Sequence, residues 1–136
     1  MTETNTGSCL CGAVTYRIEG SFSAFYLCHC SRCRKVTGSA HASNLFAFDA
    51  DFTWLSGEDM VRTYALPETR FGKAFCGTCG SALPRVAPDG SRVSIPAGSL
   101  DTEPDIRPFN HICLSSRAGW DHDLEDVPGL DGMPNR

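Results

Sequence analysis

Long apolar runs are missing from this chain, and so is any excess of basic charge. No stretch approaches the roughly 20 consecutive apolar residues that span a bilayer, which excludes a membrane-spanning helix, and no membrane partner is expected. Twelve Lys and Arg against 16 Asp and Glu give a net charge of −4. The last stretch, with Asp121, Asp123, Glu125, Asp126 and Asp131, is acidic. Neutralising phosphates needs a basic face, so nucleic acid is not expected as a partner. Helical periodicity is scarce as well. Thirteen Gly and 8 Pro are spread along 136 residues, and no apolar pattern at the 3.6-residue period survives three turns. Met1–Thr6 is polar and lacks the basic-then-apolar plan of a signal peptide, which points to a cytoplasmic, reducing setting.

Short alternating segments are common instead. Ser8–Ile18 reads as one half-buried strand, with Leu10, Val14, Tyr16 and Ile18 on one side and Cys9, Cys11, Thr15 and Arg17 on the other. Segments 42–48, 52–55 and 60–66 read as further strands, with Phe46, Phe48, Phe52, Trp54, Tyr64 and Leu66 supplying bulk. Trp54, Phe46 and Phe48 are expected in the core. Ala82–Val86 and Arg92–Ile95 flank the turn signal Pro88-Asp89-Gly90 and predict a hairpin. A last strand is expected over Asn110–Ser115, and helical turns only over Ser31–Thr37 and Glu103–Ile106. The length suits one domain, mainly β with little helix. Residues 121–136 are expected to form a loosely packed acidic tail.

Eight cysteines are the unusual number. In a reducing setting they point to metal binding rather than disulfides. They fall largely into three groups: Cys9-Leu10-Cys11, Cys28-His29-Cys30-Ser31-Arg32-Cys33, and Cys76-Gly77-Thr78-Cys79-Gly80. Thiolates suit zinc, which takes four ligands tetrahedrally at about 2.3 Å from sulfur. A C-x-x-C followed by glycine forms a tight knuckle, and on a strand the residues of a C-x-C share a face. Cys9, Cys11, Cys76 and Cys79 together make a closed four-thiolate site. A thioredoxin-like redox pair at Cys76 and Cys79 would need a helix start after them, and Ser81-Ala82-Leu83-Pro84 is not one.

The middle group offers three thiolates, Cys28, Cys30 and Cys33. Two alternatives stand: an open catalytic position, or a fourth protein ligand from His29, His41, His111 or Cys113. Zinc with three thiolates carries −1. Arg32, Arg34 and Lys35 beside it either only screen the thiolates or also hold an anionic ligand, such as a thiol's carboxylates, near the metal. Alternation along an extended segment turns His29 away from the metal bound by its neighbours. His111 reads as a structural hydrogen-bonder. Cys113, between Ile112 and Leu114, reads as an inert core thiol.

These groups, read as Gly7-Ser8-Cys9-Leu10-Cys11-Gly12-Ala13-Val14, Cys28 through Lys35 and Phe75-Cys76-Gly77-Thr78-Cys79-Gly80-Ser81, resemble the glutathione-dependent formaldehyde-activating (GFA) enzyme family, a family also represented in centromere protein V. Pro96–Asp101 and Pro108–Ile112 are similar to it too, and the resemblance runs from Gly7 to about Trp120. It implies a β-tent fold of short antiparallel sheets around zinc knuckles. The implied domains are a flexible N-terminus over 1–6, a zinc-binding domain over 7–120 and an acidic tail over 121–136. It further implies two zinc ions: one structural, on Cys9, Cys11, Cys76 and Cys79, and one reactive, on Cys28, Cys30 and Cys33. The implied activity is that of a carbon–sulfur lyase on thiol–aldehyde adducts such as S-(hydroxymethyl)glutathione, with glutathione or another small thiol and formaldehyde as partners. The alternative is a non-catalytic, zinc-stabilised module that binds a thiol or a protein on the same fold. A homo-oligomer is compatible with either. Gly119 before Trp120, and Cys113 after His111-Ile112, depart from the family pattern.

Overall fold

The computed structural model describes residues 3–135. Met1 and Thr2, from the expected flexible N-terminus, and Arg136, from the expected tail, lie outside the described residues. Three small sheets make up the fold. The first holds β1 (Thr4–Ser8), β2 (Thr15–Glu19) and β5 (Asp51–Ser56), all antiparallel. In the second, β3 (Ala24–Cys28) pairs antiparallel with β4 (Ala42–Ala47), which pairs with β10 (Val93–Pro96) and through it with β9 (Arg85–Val86). Its far edge is β11 (Asn110–Ile112), which runs parallel to β3. The third sheet holds β6 (Val61–Ala65), β7 (Gly72–Cys76) and β8 (Ala82–Leu83). One helix, α1 (Ser31–Thr37), follows β3 over the residues that the sequence predicts. Among the described residues no helix is long and apolar enough to cross a membrane.

The main core forms where the first two sheets face each other. The inward positions alternate along each strand: Tyr16 and Ile18 on β2, Leu45 and Ala47 on β4, Val93 and Ile95 on β10, closed by Phe22 and Phe25. Burying each large member contributes about 1.5–3 kcal/mol. Tyr16 donates to Ser99 Oγ at 2.6 Å, and Ser99 Oγ donates to the Pro96 carbonyl at 2.7 Å, so this buried hydroxyl is satisfied. Gly7 sits opposite Tyr16 in the β1–β2 register, and a Cβ there would meet the Tyr16 ring and the Ser99 carbonyl. Only glycine allows that approach.

Several expectations need correction. The single strand over Ser8–Ile18 is broken into β1 and β2 by a turn at Cys9–Gly12, where the Gly12 N–H reaches the Cys9 carbonyl at 3.1 Å and Gly12 adopts φ 81°. Leu10 projects from that turn, 87% exposed, instead of joining Val14, Tyr16 and Ile18 inside. Thr4–Thr6 belong to β1 rather than to a flexible end. Glu103–Ile106 forms no helical turn: the Asp105 N–H is taken by the Glu3 carboxylate at 2.8 Å. Phe48 and Tyr64 are half-exposed, while Trp54 and Phe52 pack edge to face at 4.8 Å between centroids. The strand expected over Asn110–Ser115 stops at Ile112, because Cys113 takes φ 59°, and the Cys113 thiol is exposed rather than in the core. The Ala87–Arg92 turn forms as expected, with Gly90 at φ 75° and the Asp89 carboxylate accepting from the N–H and hydroxyl of Ser91. The strand expected over Ala82–Val86, however, is split at Pro84, with β8 pairing with β7 and only β9 with β10.

Candidate metal centres

The broken strand is what builds the first thiol group. Cys9 and Cys11 both lie in the turn between β1 and β2, Cys76 ends β7, and Cys79 lies in the turn before β8. Their four Sγ atoms lie within 4.8 Å of one another, with Cys9–Cys11 at 3.6 Å and Cys11–Cys76 at 3.9 Å. Four sulfurs at 2.3 Å around one ion would stand about 3.8 Å apart. The knuckle after Cys76 is closed by the Gly80 N–H on the Cys76 carbonyl at 2.8 Å, with Gly80 at φ 78°. Ser81 locks the two turns together, since its hydroxyl accepts from the Leu10 N–H at 2.9 Å and lies 3.3 Å from Cys79 Sγ. The group thereby joins the first sheet to the third, over a core of Val14, Ala74 and Leu83.

Backbone N–H groups point at these sulfurs: Val14 at Cys9, 3.3 Å, and Thr78 at Cys76, 3.4 Å. Such donors favour thiolates. The Ser81 hydroxyl and N–H hold Cys79 down to about 5. Cys11 is pushed up to about 11, because the Ala13 N–H that works to lower it is outweighed by Cys9 and burial. Four thiolates this close need a cation among them, and the donor set fits a soft tetrahedral one.

The second group is local. Cys28 ends β3, Cys30 caps α1 by accepting from the Cys33 N–H at 3.4 Å, and Cys33 sits in the first turn. The three Sγ atoms lie within 4.8 Å of one another. Burial pushes Cys28 and Cys33 up. It pushes Cys30 the same way, but the Cys33 N–H and the two neighbouring thiols outweigh it and leave Cys30 lowered. A divalent cation would supply the charge that lets all three ionise. Among the described residues, two groups of cysteine thiols could therefore hold metal ions.

Cys33 also lines a cavity of about 280 Å³ between α1 and the second and third sheets, walled by Val36, Phe71, Leu83 and Pro96. Its cations are Lys73 and Arg85, which the sequence did not single out. Arg85 lies across Gly72, where a Cβ would stand 2.7 Å from its guanidinium carbon. Arg32 and Lys35 are exposed on α1, and Arg34 is half-buried.

On the other side of the same segments, three histidines meet. Cys28, Ala42 and Ile112 pack in one cluster, and the alternating neighbours His29, His41 and His111 turn the opposite way. Their ring centroids are 5.0–6.1 Å apart. His29 is 2% exposed, with Nε2 2.8 Å from His111 Nδ1 and Nδ1 2.9 Å from Asp121 Oδ2. His29 and His111, two of the fourth-ligand candidates, thus face each other, and the exposed Cys113 lies beyond Ile112. Asp121 was expected in a loosely packed tail, but it is 9% exposed.

Burial lowers the His41 pKa below the usual 6.5. The charges of His29 and His111 add to this and Asp121 opposes it, with Arg117, His122, Asp123 and Glu125 around the same cavity. A histidine whose folded-state pKa is depressed costs stability as pH falls through 6.5, because the unfolded chain binds its proton first. Melting temperature should fall less steeply from pH 7 to pH 5 in His41→Gln than in the parent. Parallel declines would contradict this.

Three small sheets, with cysteine thiols brought together in two groups that could each hold a metal ion, define a small, mainly β protein. Residues 4–116 match the family described as Glutathione-dependent formaldehyde-activating enzyme, and the chain belongs to that family. It is 29% identical over 121 residues to a Halomonas elongata protein provisionally named glutathione-dependent formaldehyde-activating enzyme; the match takes in 84% of this chain and 77% of that one. A Rhodobacter sphaeroides protein of known crystal structure shares the fold, with a TM-score of 0.60 and 23% identity over 78% of this chain and 98% of that one.

Proposed function

We propose that this chain is a zinc-dependent carbon–sulfur lyase acting on adducts between a small thiol and an aldehyde, of which S-(hydroxymethyl)glutathione is the simplest case. The observation that carries this reading is that the second group offers three thiols and Cys33 opens onto a cavity with two cations. Cys9, Cys11, Cys76 and Cys79 would hold a structural zinc, and Cys28, Cys30 and Cys33 a second one with an exchangeable position. When bound there, zinc lowers the pKa of a thiol and polarises an aldehyde oxygen.

The rest falls to the chain's own residues. Phe71, Val36 and Pro96 give the cavity an apolar wall that limits water around the reacting thiol. Lys73 and Arg85 suit a thiol's carboxylates, and Arg85 is the better partner because its planar guanidinium donates two parallel N–H bonds to one carboxylate. Arg34, next to Cys33, is a further candidate, with its Nε buried and unpartnered. In the synthetic direction a bond forms between the thiol sulfur and the aldehyde carbon. The thiol proton ends on the former carbonyl oxygen, so no oxidant or other co-reactant is needed.

The test is formaldehyde consumption in the presence of glutathione, measured against the uncatalysed reaction. Acceleration is expected. Arg85→Ala should raise KM for the thiol about tenfold, the value of one charge-assisted contact of about 1.5 kcal/mol, with kcat little changed. Thiol binding without acceleration would instead favour a non-catalytic thiol-binding module.

A further inference from the structure

We propose that Asp121 is a positioning residue for the second thiol group and acts through His29; the inference rests on the reading that this group holds a metal. His29 is the single residue between Cys28 and Cys30, so the setting of its peptide fixes the relation between two of the three thiols. That peptide is held from several directions. The His29 N–H donates to the Ile112 carbonyl at 3.0 Å, and the buried ring lies between His111 Nδ1 at 2.8 Å and Asp121 Oδ2 at 2.9 Å. The 2.9 Å approach of His29 Nδ1 to Asp121 Oδ2 is a close charge contact set off the line of a hydrogen bond, and neither buried atom has a hydrogen-bond partner, so this contact is what each of them depends on. The contacts are consistent with one set of protons, assigned from the network: His29 Nδ1–H faces the Asp121 carboxylate, leaving Nε2 to accept from His111 Nδ1–H. Asp121 is itself held by its N–H on the Ala118 carbonyl at 3.0 Å.

Asp121 lies beyond the family match at 4–116, so this brace comes from the chain's own C-terminal segment. Removing the carboxylate would leave the buried His29 Nδ1 without its one polar neighbour, a state that a ring avoids by turning. Turning His29 moves the peptide that carries Cys28 and Cys30. Outer contacts that orient ligand-bearing groups typically change metal affinity by about 10- to 100-fold.

The experiment uses the zinc-loaded full chain and follows metal transfer to the chelator 4-(2-pyridylazo)resorcinol. Two phases are expected, the fast one belonging to the second group and absent from Cys30→Ser. Asp121→Ala should speed the fast phase about tenfold and leave the slow phase unchanged. Asp121→Asn, which still offers an acceptor to His29 Nδ1–H, should restore most of the loss. In cobalt-substituted protein, Asp121→Ala should shift only the visible bands of the second group. An unchanged fast phase in Asp121→Ala, or equal acceleration of both phases, would overturn this inference alone. A parent protein without the fast phase would overturn the two-metal reading and the inference with it.

Discussion

Cys76→Ser is expected to yield unfolded or insoluble protein. Cys76 is fully buried and shares a group with Cys9, Cys11 and Cys79, which together fasten the β1–β2 turn to the β7–β8 turn. Without that link the first and third sheets are left with a small apolar cluster of Val14, Ala74 and Leu83, with Trp54, Met60 and Val61 packed against it. Structural zinc contributes about 10–16 kcal/mol apparent in small domains, comparable to the whole stability of a domain at about 5–15 kcal/mol. The same loss is expected for Cys11→Ser and on stripping metal with a chelator. Circular dichroism and soluble yield check this. A Cys76→Ser protein that melts like the parent would contradict the assignment of these four thiols to one structural metal.

Cys30→Ser should behave in the opposite way, staying folded with about one metal ion fewer. Cys28, Cys30 and Cys33 lie within six residues of one another, so a metal there closes only a short loop and removes little chain entropy from the unfolded state. The helix also survives the change. Cys30 is the N-cap of α1, and serine is among the best N-cap residues. Metal analysis together with a melting curve separates the outcomes. Collapse as severe as that of Cys76→Ser would make the second group structural and contradict the proposed activity.

What could be read from sequence here was whatever is local. The helix over Ser31–Thr37 and the turn around Pro88-Asp89-Gly90 depend on neighbours a few residues away and form as the sequence predicts, and the strand expected over 42–48 forms over Ala42–Ala47. The cysteine spacings are local only within Cys28–Cys33 and within each half of the other group, because the meeting of Cys9 and Cys11 with Cys76 and Cys79 spans 65 residues. The turn at Cys9–Gly12 was hidden because Leu10 falls in phase with the alternation of Val14, Tyr16 and Ile18, and Gly12, which takes φ 81°, is the residue that betrays it. The parallel pairing of β11 with β3, and the seating of Asp121 on His29, join segments more than 80 residues apart. No local pattern encodes such contacts. The Lys73–Arg85 cavity is of the same kind, because its walls come from α1 and two different sheets.

The account depends most on an exchangeable position at Cys28, Cys30 and Cys33. Cobalt-substituted protein titrated with glutathione tests it directly, through the sulfur-to-metal charge-transfer bands in the near ultraviolet. Added thiol should shift and strengthen those bands to saturation, and the response should vanish in Cys30→Ser. Bands that stay unchanged at any glutathione concentration, with a fourth protein ligand on the second metal, would contradict it.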